Sequence, residues 1–388
     1  MKISVSKESF IKSWSLAERS AGTSGSMNIF STVRVYADDN GVELQATDIR
    51  TSIICAAQGV TVLEPGEAII PIKGVSDLFK KASSAEFSIQ VEDGKATMIS
   101  GKSRYKFSTY PLGEFPKLPS SSGGKNFCSI SASNLISTLE RGTICASSGD
   151  EYPQYLSSAL FEMKDGFINI VSTDKRRLAI SRSEVLRESE SDSILLPMKG
   201  LRELQRILGM IDSNAVIEIL FDDSQAYFVT SGMEFAVRRV ESKFPPYAKL
   251  IPTTHTTAAY IDRSTLISAI ERVDVVVRDY NRTVIMNLTA DGSCKLIGRA
   301  QEFGEAVENI QCEVDGEPLL MGFNTRFFHD ALKVFDDASA CLLFTSRDSH
   351  MLVRAKDSDS FLCMVAPLEL SKEEVDLERN LDEEVDVL

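Results

Sequence analysis

The sequence predicts an α+β protein made of three repeated domains, each with two helices packed on antiparallel sheets. Three observations carry that reading. The stretch Pro71-Ile72-Lys73-Gly74-Val75-Ser76-Asp77-Leu78 returns 126 positions later as Pro197-Met198-Lys199-Gly200-Leu201-Arg202-Glu203-Leu204. Leu135-Ile136-Ser137-Thr138-Leu139-Glu140-Arg141 returns 131 positions later as Leu266-Ile267-Ser268-Ala269-Ile270-Glu271-Arg272, identical at five of seven positions. Phe115-Pro116 and Phe244-Pro245, 129 positions apart, close equivalent strand meanders. A period far above the roughly 20–50 residues of solenoid repeats means repeated domains.

The expected domains are 1–124, 125–253 and 254–370, followed by an extension, 371–388. In the first, Ile3-Ser4-Val5 alternates as a strand, and Phe10, Ile11, Trp14 and Ala17 fall on one stripe of a helix. Gly22 to Ser26 is a small-residue breaker. Thr32–Ala37 and Gly41–Ala46 alternate around a hairpin signal, Asp38-Asp39-Asn40-Gly41. After strands at Thr51–Cys55 and Ala68–Pro71, the Pro-x-Lys-Gly motif begins a second helix, and a further meander leads to a Ser/Gly linker. The second domain repeats the order, with Ser133 expected to cap its first helix and 198–209 forming its second. The third has its helices at 266–272 and Thr325–Phe335.

Composition and motifs argue against catalysis. The seven cysteines form no C-x-x-C pair and read as reduced core thiols, and the three histidines have no metal-ligand spacing. Ser100-Gly101-Lys102-Ser103 imitates the end of a phosphate loop, but Ala96 stands where its first glycine belongs and the context is strand to strand. His329 beside Asp330 is a candidate base without a nucleophile motif. No catalytic residue, metal or cofactor is expected. The N-terminus lacks a signal-peptide pattern and no run of 18 apolar residues occurs, which predicts a cytoplasmic protein.

The formal net charge is −14, of which the extension 371–388 contributes −6 through eight acidic and two basic residues. An acidic protein is not coated with nucleic acid, yet a local basic face remains compatible with it. Lys12, Lys73, Lys80, Lys81, Arg141, Lys199, Arg202, Arg206, Arg272, Arg326 and Lys333 recur on equivalent helices. Repeats arranged in an arc align such faces into one surface for phosphates, read without base specificity.

Residues 1 to about 370 resemble the bacterial DNA polymerase III beta subunit family, the sliding clamps. The resemblance rests on Ala46-Thr47-Asp48, Ser172-Thr173-Asp174-Lys175-Arg176-Arg177-Leu178-Ala179, Phe244-Pro245-Pro246-Tyr247, Gly322-Phe323-Asn324 and Val365-Ala366-Pro367-Leu368. It implies domains of the DNA clamp type, a head-to-tail homodimer ring around duplex DNA, and processivity through topological linkage. It also implies a cleft that takes short hydrophobic peptides from the replicative polymerase, clamp loader and repair polymerases. Carried over residue by residue, the cleft comprises Leu156, Thr173, Lys175, Arg176, Arg177, Leu178, Pro245, Leu250, Asn324, Phe327, Met364, Pro367 and Leu368. The implied dimer contact comprises Tyr105 and Phe107 with Val275 and Val276, while Tyr152 and Tyr155 are candidates for stacking on a single strand. Lys175-Arg176 replaces the family's usual Gly-His or Gly-Phe, and Leu368-Glu369-Leu370 its Met-Arg-Leu, which alters the rim charge. The alternatives are a clamp-like paralogue that binds peptides without encircling DNA, and an enzyme with a site assembled across repeats. The extension has no counterpart in the family pattern. Its charge predicts a solvated segment, and Val375, Leu377, Leu381 and Val385 suggest one that returns over the cleft.

Overall fold

Alternating apolar residues pair into four antiparallel sheets among the described residues, 1–22, 29–188 and 192–370, of a computed structural model. Six α-helices accompany them: α1 (Lys7–Ala17), α2 (Val75–Lys80), α3 (Ala132–Gly142), α4 (Met198–Leu208), α5 (Arg263–Val277) and α6 (Thr325–Lys333). The extension 371–388 and most of the Gly22 to Ser26 breaker lie outside the described residues.

The chain forms two units. One contains the described residues within 1–139, 160–168 and 183–242. Its five-stranded sheet runs Val60–Glu64, Lys2–Ser6, Glu86–Glu92, Lys95–Ser100, Ser103–Ser108, which leaves Ser103–Ser108 at an edge. Its nine-stranded sheet joins the first two repeats where Thr51–Ala56 pairs with Met233–Arg238, placing Ile53 opposite Phe235. An aromatic cluster lies under α1 and α2: Phe79 meets Trp14 edge-on at 4.9 Å and Phe10 at 5.4 Å.

The other unit contains, among the described residues, 140–159, 169–182 and 243–370. Strands Arg177–Glu184, Phe361–Val365, Met351–Ala355, Ser339–Phe344, Thr257–Asp262 and Glu313–Gly316 lie side by side in its larger sheet. Gly304–Gln311 is an edge strand of its four-stranded sheet. Successive strand residues point to opposite faces. Ala179, Val353, Phe361, Cys363 and Val365 enter the core beside Leu266, Ile270 and Phe328 of α5 and α6. Leu178, Ile180, Leu352, Leu362 and Met364 therefore lie on the opposite face.

Three local expectations need correction. Ser133 lies inside α3; the cap is Ser131, whose Oγ accepts from the Asn134 N–H at 3.2 Å. α4 ends at Leu208 and α6 at Lys333, short of 209 and Phe335. Lys73 precedes α2 and Lys81 caps its end, so neither is inside that helix. The two Pro-x-Lys-Gly motifs also behave differently. Gly74 precedes α2 with φ +81°, a conformation that favours glycine, whereas Gly200 is inside α4. A Cβ there would stand 2.5 Å from Val237 Cγ1, so Gly200 permits close packing of helix on strand.

Candidate peptide cleft and DNA-facing cations

The Thr173-Asp174-Lys175-Arg176-Arg177 segment makes a tight turn that holds itself together. Thr173 Oγ1 donates to Arg177 O at 2.8 Å and accepts from the Lys175 N–H at 3.1 Å. Asp174 Oδ1 accepts from the N–H groups of Arg176 and Arg177, each at 3.0 Å. This side-chain mimicry of backbone bonds makes Thr and Asp the natural residues here. The turn holds Lys175 at φ +73°, where a lysine is strained relative to glycine. Thr47-Asp48-Ile49-Arg50-Thr51 repeats the geometry 126 positions earlier, with Ile49 at φ +74°.

The turn exposes Lys175 and Arg176 and buries Arg177. Arg177 binds Asp174 and Asp330 and lies 4.4 Å from the centroid of the Phe327 ring. Burial opposes its charge, but Cys145, Asp330 and Asp174 outweigh that and hold the guanidinium pKa above its ordinary value. Asn324 caps α6, accepting from the Arg326 and Phe327 N–H groups. Backbone bonds Ala366 N to Arg176 O (2.8 Å) and Leu368 N to Gly322 O (2.7 Å) connect the turn, the 365–368 segment and the strand preceding α6. Leu178 stands opposite Met364 in the sheet. The structure thus gathers Thr173, Lys175, Arg176, Arg177, Leu178, Asn324, Phe327, Met364, Pro367 and Leu368 around one locus.

Leu156 is buried, Pro245 half-buried, and Leu250 is 53% exposed. Tyr155, next to Leu156, meets Phe244 edge-on at 5.8 Å, and Phe244 meets Tyr247 at 6.3 Å. Tyr155 thus joins an aromatic wall beside Leu156 while its ring stays only half-buried. Tyr152, 89% exposed, remains available. His329 does not act with Asp330: its Nε2 lies 2.9 Å from Glu271, while Asp330 serves Arg177.

The predicted cations differ in what they already touch. Lys12 pairs with Glu8 (3.1 Å), Lys199 with Asp48 (3.7 Å), Arg272 with Glu308 (2.7 Å), Lys333 with Glu271 (3.2 Å), and Arg206 with Glu203. Exposed pairs of this kind contribute about 0–1 kcal/mol and exchange readily. Lys73, Lys80, Lys81 and Arg202 are exposed and have no carboxylate partner among the described residues. Arg141 is half-buried and donates to Val334 O and Ser360 Oγ. Asp330 and Asp174, the two carboxylates that position Arg177, were not among the expected cleft residues; Asp174 lies within the Thr-Asp motif three positions before Arg177, whereas no local sequence pattern signals Asp330, 153 positions away.

Family models for the N-terminal, central and C-terminal domains of the DNA polymerase III beta subunit match residues 1–119, 129–246 and 248–369. The beta sliding clamp of Pseudomonas putida is 26% identical over 372 residues, covering 95% of this chain and all of the relative. That of Bacillus subtilis is 24% identical, covering 95% and 99%. The crystal structure of the Pseudomonas aeruginosa beta subunit superimposes with a TM-score of 0.89 at 26% identity, covering 95% of this chain and 100% of the other. The Bacillus subtilis sliding clamp structure gives 0.90 at 22%, covering 96% and 100%. The chain belongs to the DNA polymerase III beta subunit family, the sliding clamps, which act in replication as non-enzymatic processivity factors.

Proposed function

We propose that two copies of this chain close head to tail into a ring around duplex DNA, and that the cleft tethers polymerases, the clamp loader and repair proteins through short hydrophobic peptides. The observation that carries the ring is a matched pair of sheet edges. Ser103–Ser108 presents Tyr105 and Phe107 half-buried, with Arg104 and Lys106 exposed between them. Gly304–Gln311 presents Glu305 and Glu308, with Val307 41% exposed. Val275, 49% exposed, and the half-buried Val276 lie on α5, whose Arg272 binds Glu308 on that strand. Pairing the two edges across subunits would satisfy backbone groups that otherwise invite uncontrolled association.

In the ring, Lys12, Lys73, Lys80, Lys81, Lys199, Arg202, Arg206, Arg272 and Lys333 supply weak phosphate contacts that permit sliding. The cleft buries leucine or phenylalanine anchors between Leu178, Met364 and Pro367. No helix among the described residues is long and apolar enough to cross a membrane, and the proposed site of action is the cytoplasm. Sedimentation tests the assembly: a species of about 85 kDa, twice the 42.7 kDa chain, is expected. A monomer at micromolar concentration would reject the ring.

A further inference from the structure

The larger sheet of the second unit carries more apolar groove than the expected cleft uses. Leu178 opposite Met364 is followed on the same face by Ile180 opposite Leu362. Ile180, Leu362, Leu343 and Leu352 line a groove of about 440 Å³, with Arg182, Arg354 and His255 among its polar residues. Asp359, its one acidic lining residue, pairs with Arg354 at 2.7 Å. The cleft and the groove are therefore consecutive along one ladder, with Lys175 and Arg176 at one end and Arg182 and Arg354 at the other.

We propose that the acidic segment 371–388 of this chain occupies this groove in cis and competes with partner peptides for the adjoining cleft. The proposal rests on the cleft reading above. Three observations select this occupant. The segment leaves the described chain beside the cleft: Leu368 bonds to Gly322, and Leu370 packs on Gly322, where a Cβ would stand 2.6 Å from Leu370 Cδ2. Its length suffices, because 18 extended residues span up to roughly 60 Å. Its chemistry is complementary, with eight carboxylates against two basic groups, and with Val375, Leu377, Leu381, Val385 and Leu388 spaced among them for an apolar floor. Glu369 opposes the attraction at the point of departure, which favours contact farther along the groove at Arg182. A tether this short gives an effective concentration on the order of millimolar, so even a weak cis contact reduces apparent partner affinity several-fold.

The test is fluorescence anisotropy of a labelled peptide bearing leucine and phenylalanine anchors. It is titrated with the full chain, a 1–370 truncation, a full chain with the eight tail carboxylates changed to amides, and the full chain carrying Arg182→Glu. The truncated and amidated forms should bind about 3- to 10-fold more tightly at low salt, the difference shrinking as salt screens the charges. Arg182→Glu should raise affinity in the full chain and leave 1–370 unaffected. A free 371–388 peptide added to the truncated form should restore inhibition. Equal affinity in the full and truncated chains overturns the proposal while leaving the cleft intact. Inhibition that grows with protein concentration assigns the contact to a second copy and overturns the cis arrangement. If no form binds the peptide, the cleft reading itself fails and this proposal falls with it.

Discussion

Arg177 grips two carboxylates on different elements: its Nε lies 2.9 Å from Asp174 Oδ2 in the preceding turn, and its Nη1 lies 2.8 Å from Asp330 Oδ2 on α6. The side chain is 7% exposed, while the carboxylates are 19% and 32% exposed. Removing one partner of a buried pair costs several kcal/mol, and access of water to the carboxylates reduces that here. Arg177→Met should destabilise the fold by about 2 kcal/mol in denaturant unfolding and weaken peptide binding by loosening Phe327. Unchanged stability would show that Arg177 does not hold the turn to α6.

Lys175 tests the same turn without removing a contact. At φ +73° a side chain costs more than glycine. Lys175→Gly should raise the unfolding free energy by up to about 1 kcal/mol and flatten the salt dependence of binding to acidic peptides. A loss of stability would mean that the lysine side chain makes a compensating contact.

The two motif glycines give a paired prediction. Gly200→Ala drives a methyl group into Val237 and should cost about 1–3 kcal/mol. Gly74→Ala meets no atom within 4 Å, so its cost, about 1 kcal/mol, arises from φ alone. Thermal unfolding of both variants should separate them, and the reverse ranking would contradict this packing.

Asp262 caps α5, accepting from the Thr265 N–H (2.8 Å), Thr265 Oγ1 (2.6 Å) and Ser264 Oγ (2.8 Å). The hydrogen bonds from Thr265, then that from Ser264, hold its pKa below the ordinary aspartate value. A depressed folded-state pKa means that the stabilisation is present above the unfolded value and is lost as pH falls through the folded value. Asp262→Ala should cost about 0.5–2 kcal/mol at neutral pH, with the difference from the parent narrowing below about pH 4. A pH-independent difference would assign the effect to something other than the cap.

The repeat was legible because it is local: Pro-x-Lys-Gly, the two Leu-Ile-Ser helices and the Thr-Asp turns recur within short windows. The family resemblance located Leu178 and Met364, but their pairing across 186 positions is a tertiary fact. So is the continuation of their face through Ile180 and Leu362 into the groove. The ion pairs that occupy Lys199, Arg272 and Lys333 were equally hidden, since each partner belongs to a distant segment. Glycine spacing alone did not reveal that Gly74 serves a turn and Gly200 a helix contact, because the distinction lies in backbone angle and in Val237.

Retention on DNA tests the central claim most directly. Loaded onto a nicked circular duplex and filtered at moderate salt, the protein should remain with the circle and be lost when a single cut linearises it. Lys80→Glu with Arg202→Glu should reduce loading and the salt slope of initial binding. Equal retention on circular and linear DNA would contradict topological linkage and leave ordinary phosphate binding in its place.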